Sequence, residues 1–414
     1  MSLPATLNVT IDFSGGPVFG IAFTIGDPKN GILGVNVLAD KASDVVDISA
    51  QTLKVDIKRG RNIIQDRFEA GTATIRIIDT NGTWNPENPS SPYYGKLIPL
   101  RKVRVAADYA GSSYFLFSGY SQNYKYTFPT NESFGYVDIE CTDAFRLFNM
   151  AGVNTVTGAT AGQDTGTRIN KILDMVSWPS SMREVSTGNT TCIADPSTQR
   201  SVLQALGQAE FSEQGAFFID QEGDAVFYNR TQTIQKAGGT PTVFNQTTGI
   251  PYKSVTYAFD DKLIVNNANV TRVGGTKQTA TDTASINNYF IHTINATDMV
   301  METDADALNV AQAYVASHKD TSIRIDTMTL DLNTANYSAG IQAALGLRFF
   351  DPVQITNTTA TGSTITKTLQ VLGVSHNITP NTWLTTFTTQ EPIIDGFIIG
   401  NAQYGIIGQS VMTY

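Results

Sequence analysis

The sequence predicts a mainly β protein with α+β parts, in which two β-barrel or sandwich domains flank a small α/β domain. Three observations point there. Short runs rich in Val, Ile, Thr and aromatics are punctuated by turn residues, among them 34 Gly. Apolar residues at helical spacing occur in a middle stretch between two long β-rich regions, and in one segment within the second. The second β-rich region also repeats the order of features of the first. At roughly 100–200 residues per domain, 414 residues suggest two to four domains. The texture places them at 1–47 (N-terminal β segment), 48–148 (first β domain), 149–250 (small α/β domain), 251–395 (second β domain) and 396–414 (C-terminal interaction arm).

Val9 to Phe13 and Val18 to Ile25 read as short strands around the Gly15-Gly16 turn, followed by Gly26-Asp27-Pro28 and Asn30-Gly31. Leu53, Val55 and Ile57 alternate with Lys54, Asp56 and Lys58, the pattern of a strand with one wet face. Ala73, Ile75 and Ile77 do the same, up to the Asp79-Thr80-Asn81-Gly82 turn. Val103 with Val105, Tyr114 to Phe117, and Tyr136 to Cys141 are further strands, and the domain ends near Phe148. Ile169, Ile172, Leu173 and Val176 predict a helix over Arg168 to Trp178. Asp195 before Pro196 predicts the N-cap of a second helix, running through Val202, Leu206 and Ala209. Ala216 to Asp220 and Ala225 to Tyr228, around Glu222-Gly223-Asp224, read as a hairpin. Later come a strand at Ile264 to Thr271 and a helix opened by a Thr303/Asp306 capping box. Strands follow at Ile323 to Leu332, Val353 to Thr356, Thr368 to Val374 and Leu384 to Thr389.

The repeat aligns Leu100-Arg101-Lys102-Val103-Arg104-Val105 with Phe350-Asp351-Pro352-Val353-Gln354-Ile355. It also aligns Gly119-Tyr120-Ser121 with Gly373-Val374-Ser375, and the closing acids Asp143 and Glu391. A true duplication gives one chain two copies of one β unit.

Composition excludes several functions. No apolar run reaches 18 residues, so a helical membrane span is not expected. A net charge of −9 is a poor footing for gripping nucleic acid. Met1 to Phe13 has no basic and apolar leader pattern, and Cys141 and Cys192 are expected as two buried free thiols, which together suggest synthesis in the cytoplasm. His292, His318 and His376 lack metal spacing with one another or with cysteine, and His318 falls on an apolar helix face. Gly119-Tyr120-Ser121 is no nucleophile elbow, and Gly274-Gly275-Thr276-Lys277 lacks P-loop spacing and reads as a hairpin turn. Asp79-Thr80-Asn81-Gly82 and Glu222-Gly223-Asp224 read as turns, and the Asp260-Asp261 and Glu210/Glu213 pairs as solvated surface. Lys58-Arg59-Gly60-Arg61 is the one compact basic cluster and suits a subunit contact. No catalytic, cofactor-binding or metal-binding residue is assigned; the chain reads as a scaffold and not as an enzyme.

Two blocks carry a resemblance. The first is Gly60-Arg61, then Phe68 to Ile75, Asp79 to Asn88, Ser91 to Val105, and Leu116 to Gly119. The second comprises Ser201 to Leu206, Glu213 to Phe218, Ala225 to Arg230, Asp351-Pro352-Val353, Val371 to His376, Trp383 and Phe387. Together they resemble the minor tail or baseplate hub proteins of long-tailed bacteriophages, over most of residues 45 to 395. The resemblance implies two tail-tube-like β domains in each protomer of a homotrimeric ring at the virion tail tip, assembled in the host cytoplasm. Such a ring closes the tail tube, adapts sixfold to threefold symmetry and forms part of the DNA ejection channel. The implied partners are the chain itself, the tail tube and distal tail proteins, tip spike or fibre proteins, and DNA in transit only. An acidic wall repels phosphates and keeps a conduit from binding its cargo. No peptidase or lysozyme module accompanies these blocks.

Two other readings remain. One is a carbohydrate- or host-receptor-binding β protein of the tail tip, with Trp84, Tyr93 and Tyr94 as stacking faces; their alternative role is to order the Asn/Pro/Ser-rich loop around them. The other is a hydrolase of cell-wall polymers. The C-terminal arm carries Phe397-Ile398-Ile399 and Ile406-Ile407, each followed by Gly, around an Asn401-Ala402-Gln403 turn. Two such short β runs are marginal alone, so the arm is expected to pair with a neighbouring protomer or tail protein, or else to dock on the second β domain.

Overall fold

A computed structural model describes residues 3–15, 44–62, 67–128, 134–320, 324–358 and 362–392. The expected strand Val18 to Ile25, the turns after it, and the C-terminal arm lie outside the described residues. The chain begins with β1 (Thr6–Asp12), β2 (Val45–Asp47), β3 (Thr52–Asn62), β4 (Arg67–Asp79), β5 (Lys102–Tyr109), β6 (Ser112–Thr127) and β7 (Gly135–Thr142). A middle region follows: α1 (Phe145–Met150), β8 (Gly152–Val153), β9 (Gln163–Asp164), α2 (Thr165–Met175), β10 (Arg183–Val185), β11 (Thr191–Cys192), β12 (Arg200–Ser201), α3 (Val202–Glu213), β13 (Ala216–Ile219), β14 (Ala225–Tyr228) and α4 (Arg230–Ala237). Next are β15 (Thr242–Asn245) and β16 (Ser254–Ala258), then β17 (Asn267–Arg272), β18 (Gln278–Thr281), α5 (Thr283–Tyr289), β19 (Thr293–Met299) and α6 (Asp304–His318). The last elements are β20 (Arg324–Asp331), α7 (Ser338–Gly346), β21 (Pro352–Thr358), β22 (Thr364–Thr379) and β23 (Thr382–Gln390).

The fold is mainly β, as the alternation of side chains requires. In β4, Ala73, Ile75 and Ile77 are buried while Thr74 and Arg76 face water. Ile75 and Ile77 each contribute roughly 1.5–3 kcal/mol before ordering costs. Thirteen strands share one sheet. Within it the pairing order β3-β4-β7-β6-β5-β1 is matched, strand for strand, by β16-β20-β23-β22-β21-β15. The chain therefore holds two units of one topology, and they differ at the last pair: β1 runs antiparallel to β5, β15 parallel to β21.

The backbone repeats more closely than the sequence. Leu100 and Phe350 both adopt a positive φ, 65° and 68°, at the entrance to the unit's fourth strand in chain order. Leu100 N–H donates to Ser121 O, and Phe350 N–H to Val371 O, both at 2.7 Å. A bulge falls between Ser121 and Asn123 in β6 and between Val371 and Gly373 in β22. The match thus pairs Ser121 with Val371, and corrects the sequence alignment of Gly119-Tyr120-Ser121 with Gly373-Val374-Ser375. The Gly-x-Ser coincidence had no structural cause. The closing acids do correspond, because Thr142 opposite Tyr120 matches Gln390 opposite Gln370.

The helix over Thr165–Met175 is present, capped by Asp164. Asp195 does not start the next helix. Its carboxylate accepts from Val156 N (3.1 Å) and Ser197 N (3.1 Å) and pairs with Arg200 (2.5 Å). With Asp195 so engaged, α3 opens later, through a reciprocal Ser201/Gln204 capping box. The Thr303/Asp306 box opens α6 as expected. That helix packs on the β17–β19 sheet around its own small core of Ala268, Val270, Met301, Ala307 and Ala311. This group is inserted between β16 and β20 of the second unit.

Candidate functional site

The feature on which the architecture turns is the seam between the two β units. β3 of the first unit pairs antiparallel with the C-terminal half of β22 of the second, from Gly60 opposite Gly373 to Val55 opposite Ile378. Bulges beside Gly60 and Gly373 let the backbones close in. A Cβ on Gly60 would lie 2.5 Å from Gly373 Cα and 2.7 Å from Leu372 O, and its φ is +151°. Val55, Ile57, Val374, His376 and Ile378 are all buried along this seam.

Aromatic rings join the middle region to both units. Phe68 of the first unit lies 4.9 Å from Phe218 on β13 and 5.0 Å from Phe349 in the second unit, and Phe350 sits 6.0 Å from Tyr228. The turn after β13 bridges the same parts: Ser118 Oγ donates to Gln221 O (2.9 Å), and Arg348 pairs with Glu222 (3.1 Å). These contacts fix one orientation between the units.

Charge is buried here too. The Arg59 guanidinium lies over the Phe349 ring at 5.2 Å, a cation–π contact. Burial brings it down to about 10, against the attraction of Asp220 and Asp143. Asp143 accepts from Gly71 N (2.5 Å) and Phe145 N (3.0 Å), yet its burial pushes the carboxyl up to about 7. Burial, with Arg59 nearby, takes the His376 imidazole down to about 3, and its Nδ1 contacts Thr385 Oγ1 at 2.9 Å. The expected basic patch is therefore split. Lys58 is exposed, but Arg59 is buried in the seam within the chain and is not available as a subunit contact.

The other residues singled out in the sequence are dispersed. His318 is buried and stacks on Tyr314 at 4.5 Å, and His292 Nε2 meets Tyr289 O at 3.0 Å. Among the described residues, no group of three or more His, Cys, Asp or Glu is arranged to hold a metal. The turn at Gly274-Gly275 is tied to the start of α6, where Asp304 accepts from Thr276 Oγ1 (2.7 Å) and Arg272 Nε (2.5 Å). Asp79 orders its loop by accepting from Thr83 N (3.0 Å) and Trp84 N (2.9 Å). Both Asp260 carboxylate oxygens accept from Arg324 Nη2, at 3.0 and 3.1 Å. Glu213 is not solvated: it is 0% exposed and accepts from Thr165 Oγ1, Asn189 N and Thr190 N at 2.8–2.9 Å. Glu210 accepts from Phe217 N at 2.9 Å and so serves the α3–β13 connection. Trp84, 1% exposed, donates Nε1 to Gln51 and lies 4.8 Å from Tyr93. It orders its loop and presents no face to a sugar. Cys141 and Cys192 are both buried and reduced.

Sequence reasoning missed the seam. The signal was an isolated glycine, Gly60, inside a strand pattern, which marks a bulge or a close backbone approach.

No protein family and no curated protein matches the chain by sequence. Solved structures do. The chain is similar to the tail protein from Neisseria meningitidis MC58, with a TM-score of 0.55 and 12% identity, over 83% of this chain and 93% of that one. It is similar to the 43 kDa tail protein of prophage MuSo2 from Shewanella oneidensis, with a TM-score of 0.56 and 11% identity, over 84% and 96%. The chain has the fold of these tail proteins.

Proposed function

We propose that the chain is a structural protein of a bacteriophage virion: a homotrimeric hub at the tail tip that closes the tail tube, adapts sixfold to threefold symmetry and surrounds part of the DNA ejection path. The observation that carries this is the seam. One chain holds two units of the same topology joined edge to edge, so three chains supply six comparable units around a ring. The shared fold with two tail proteins supports the tail assignment, and the net charge of −9 suits a wall that does not hold DNA. No enzymatic role is assigned: the buried carboxylates and histidines are engaged within the fold and do not converge on a cleft. The test is light scattering of the purified protein together with electron microscopy of the protein and of native tails. Threefold rings with six similar lobes are expected. A monomer in assembled tails, or any other symmetry, refutes the reading.

A further inference from the structure

We propose that neighbouring chains join by repeating the seam found inside the chain: β16 of one protomer pairs antiparallel with the C-terminal half of β6 of the next. The inference rests on the ring reading above and adds the strands and their register.

The topological match identifies the surfaces. The internal seam uses the edge of β3 and the second half of β22. Their counterparts are β16 and the second half of β6. Among the described residues, β16 pairs with β20 alone, and β6 beyond Ser121 pairs with β7 alone. Each therefore presents one strand edge of the kind that recruits another strand.

The register follows from partners already in place. Lys54 and Val55 sit opposite Arg76 and Ile75, as Ser254 and Val255 sit opposite Thr329 and Met328, so Asp56 matches Thr256. Asn377 matches Thr127 through their places opposite Leu384 and Tyr136. Asp56 faces Asn377 in the internal seam. The proposed seam therefore sets Thr256 of one chain opposite Thr127 of the next, and Val255 opposite Phe128.

Side chains agree with this pairing. Val55, Val374, His376 and Ile378 are at most 4% exposed because the internal seam covers them. The matching face of β6 carries Tyr124, Tyr126 and then Phe128, and that of β16 carries Val255, Tyr257 and then Phe259. The tyrosines and Val255 are half-covered, Phe128 is 63% exposed and Phe259 68%. These are the positions a partner strand would bury. On the wet face, Thr opposite Thr is a pairing this sheet already uses, as between Thr329 and Thr386 (2.9 Å). The two surfaces differ from each other, so the contact is head-to-tail, and a head-to-tail contact closes into a ring when its rotation permits.

The experiment is disulfide trapping in the full chain with Thr127→Cys and Thr256→Cys combined. The native thiols are buried and do not compete. Oxidation should link chains into a covalent trimer, at about tenfold higher yield than Thr127→Cys with Ser254→Cys, whose cysteines sit out of bridging range. Either single variant should yield no trimer. Rings by electron microscopy without this preference overturn the register and leave the ring reading standing. A chain that remains monomeric overturns both. Phe128→Asp is the second arm: rings lost with monomer melting unchanged supports the seam, and rings retained refutes it.

Discussion

Replacing Gly60 by Ala tests whether the internal seam depends on close backbone contact. The added Cβ would sit 2.5 Å from Gly373 Cα and 2.7 Å from Leu372 O, both backbone atoms that no rotamer change can move. Overpacking of this kind costs about 1–3 kcal/mol. The φ of +151° adds backbone strain of about 1–3 kcal/mol for any L side chain. The expected loss is about 2–6 kcal/mol. Gly207→Ala supplies the opposite sign from the same chemical change. Gly207 lies within α3 with nothing within 4 Å of its would-be Cβ, so alanine should add about 0.5–1 kcal/mol. Urea titrations of the two variants and the parent, followed by circular dichroism, give both numbers. A Gly60→Ala cost below about 1 kcal/mol would show that the seam yields, and that its register is not set by the glycine pair.

Three further outcomes follow from polar groups with defined partners. Glu213→Ala leaves Thr165 Oγ1 and the Asn189 and Thr190 amides without their shared acceptor, and should cost about 3–5 kcal/mol in urea unfolding. Ser201→Ala removes one half of the α3 capping box and should cost about 1 kcal/mol by the same measurement. Asp143 has a folded value of about 7 against an ordinary 3.8, so its contribution is fully present below about pH 4 and is lost as pH rises to 7. His376 acts in the opposite sense, from 6.5 down to about 3, and its contribution is lost as pH falls. The two oppose each other, so stability of Asp143→Asn should rise more steeply between pH 4 and 6.5 than that of the parent; an unchanged slope refutes the role given to Asp143.

Much of the fold was legible in local pattern. Alternation located β3 and β4, because each has one dry and one wet face. The capping box at Thr303 was legible because both partners lie within one turn. Asp195 misled because a good N-cap residue also serves an Asx turn, and which role it takes depends on Arg200 and on Val156, far away in sequence. Glu213 and Arg59 read as surface because nothing local marks a charge whose partners come from other segments. The doubling of the β unit was visible in the order of features and in two of its anchors, Leu100 with Phe350 and Asp143 with Glu391; the Gly-x-Ser anchor slipped, since matched positions there carry unlike residues.

That mismatch of residues over a matched backbone has a physical reading. Leu and Phe are both unfavourable at positive φ, by roughly 1–2 kcal/mol, yet Leu100 and Phe350 both adopt it at the same place. The conformation aims the N–H of each at the long neighbouring strand, at Ser121 O and Val371 O. The bulge follows at once in that strand. Before it, β6 and β22 pair with the strand of their own hairpin, β5 and β21. Past it, that pairing ends and the same edge is released. In β22 the released edge takes up β3 of the other unit, and the backbone geometry that frees it is repeated in β6. Strain at one residue and an extra residue in the strand thus divide a long strand between two neighbours. A chain that carries this device twice and satisfies it once among its described residues leaves one such edge for the partner strand proposed above.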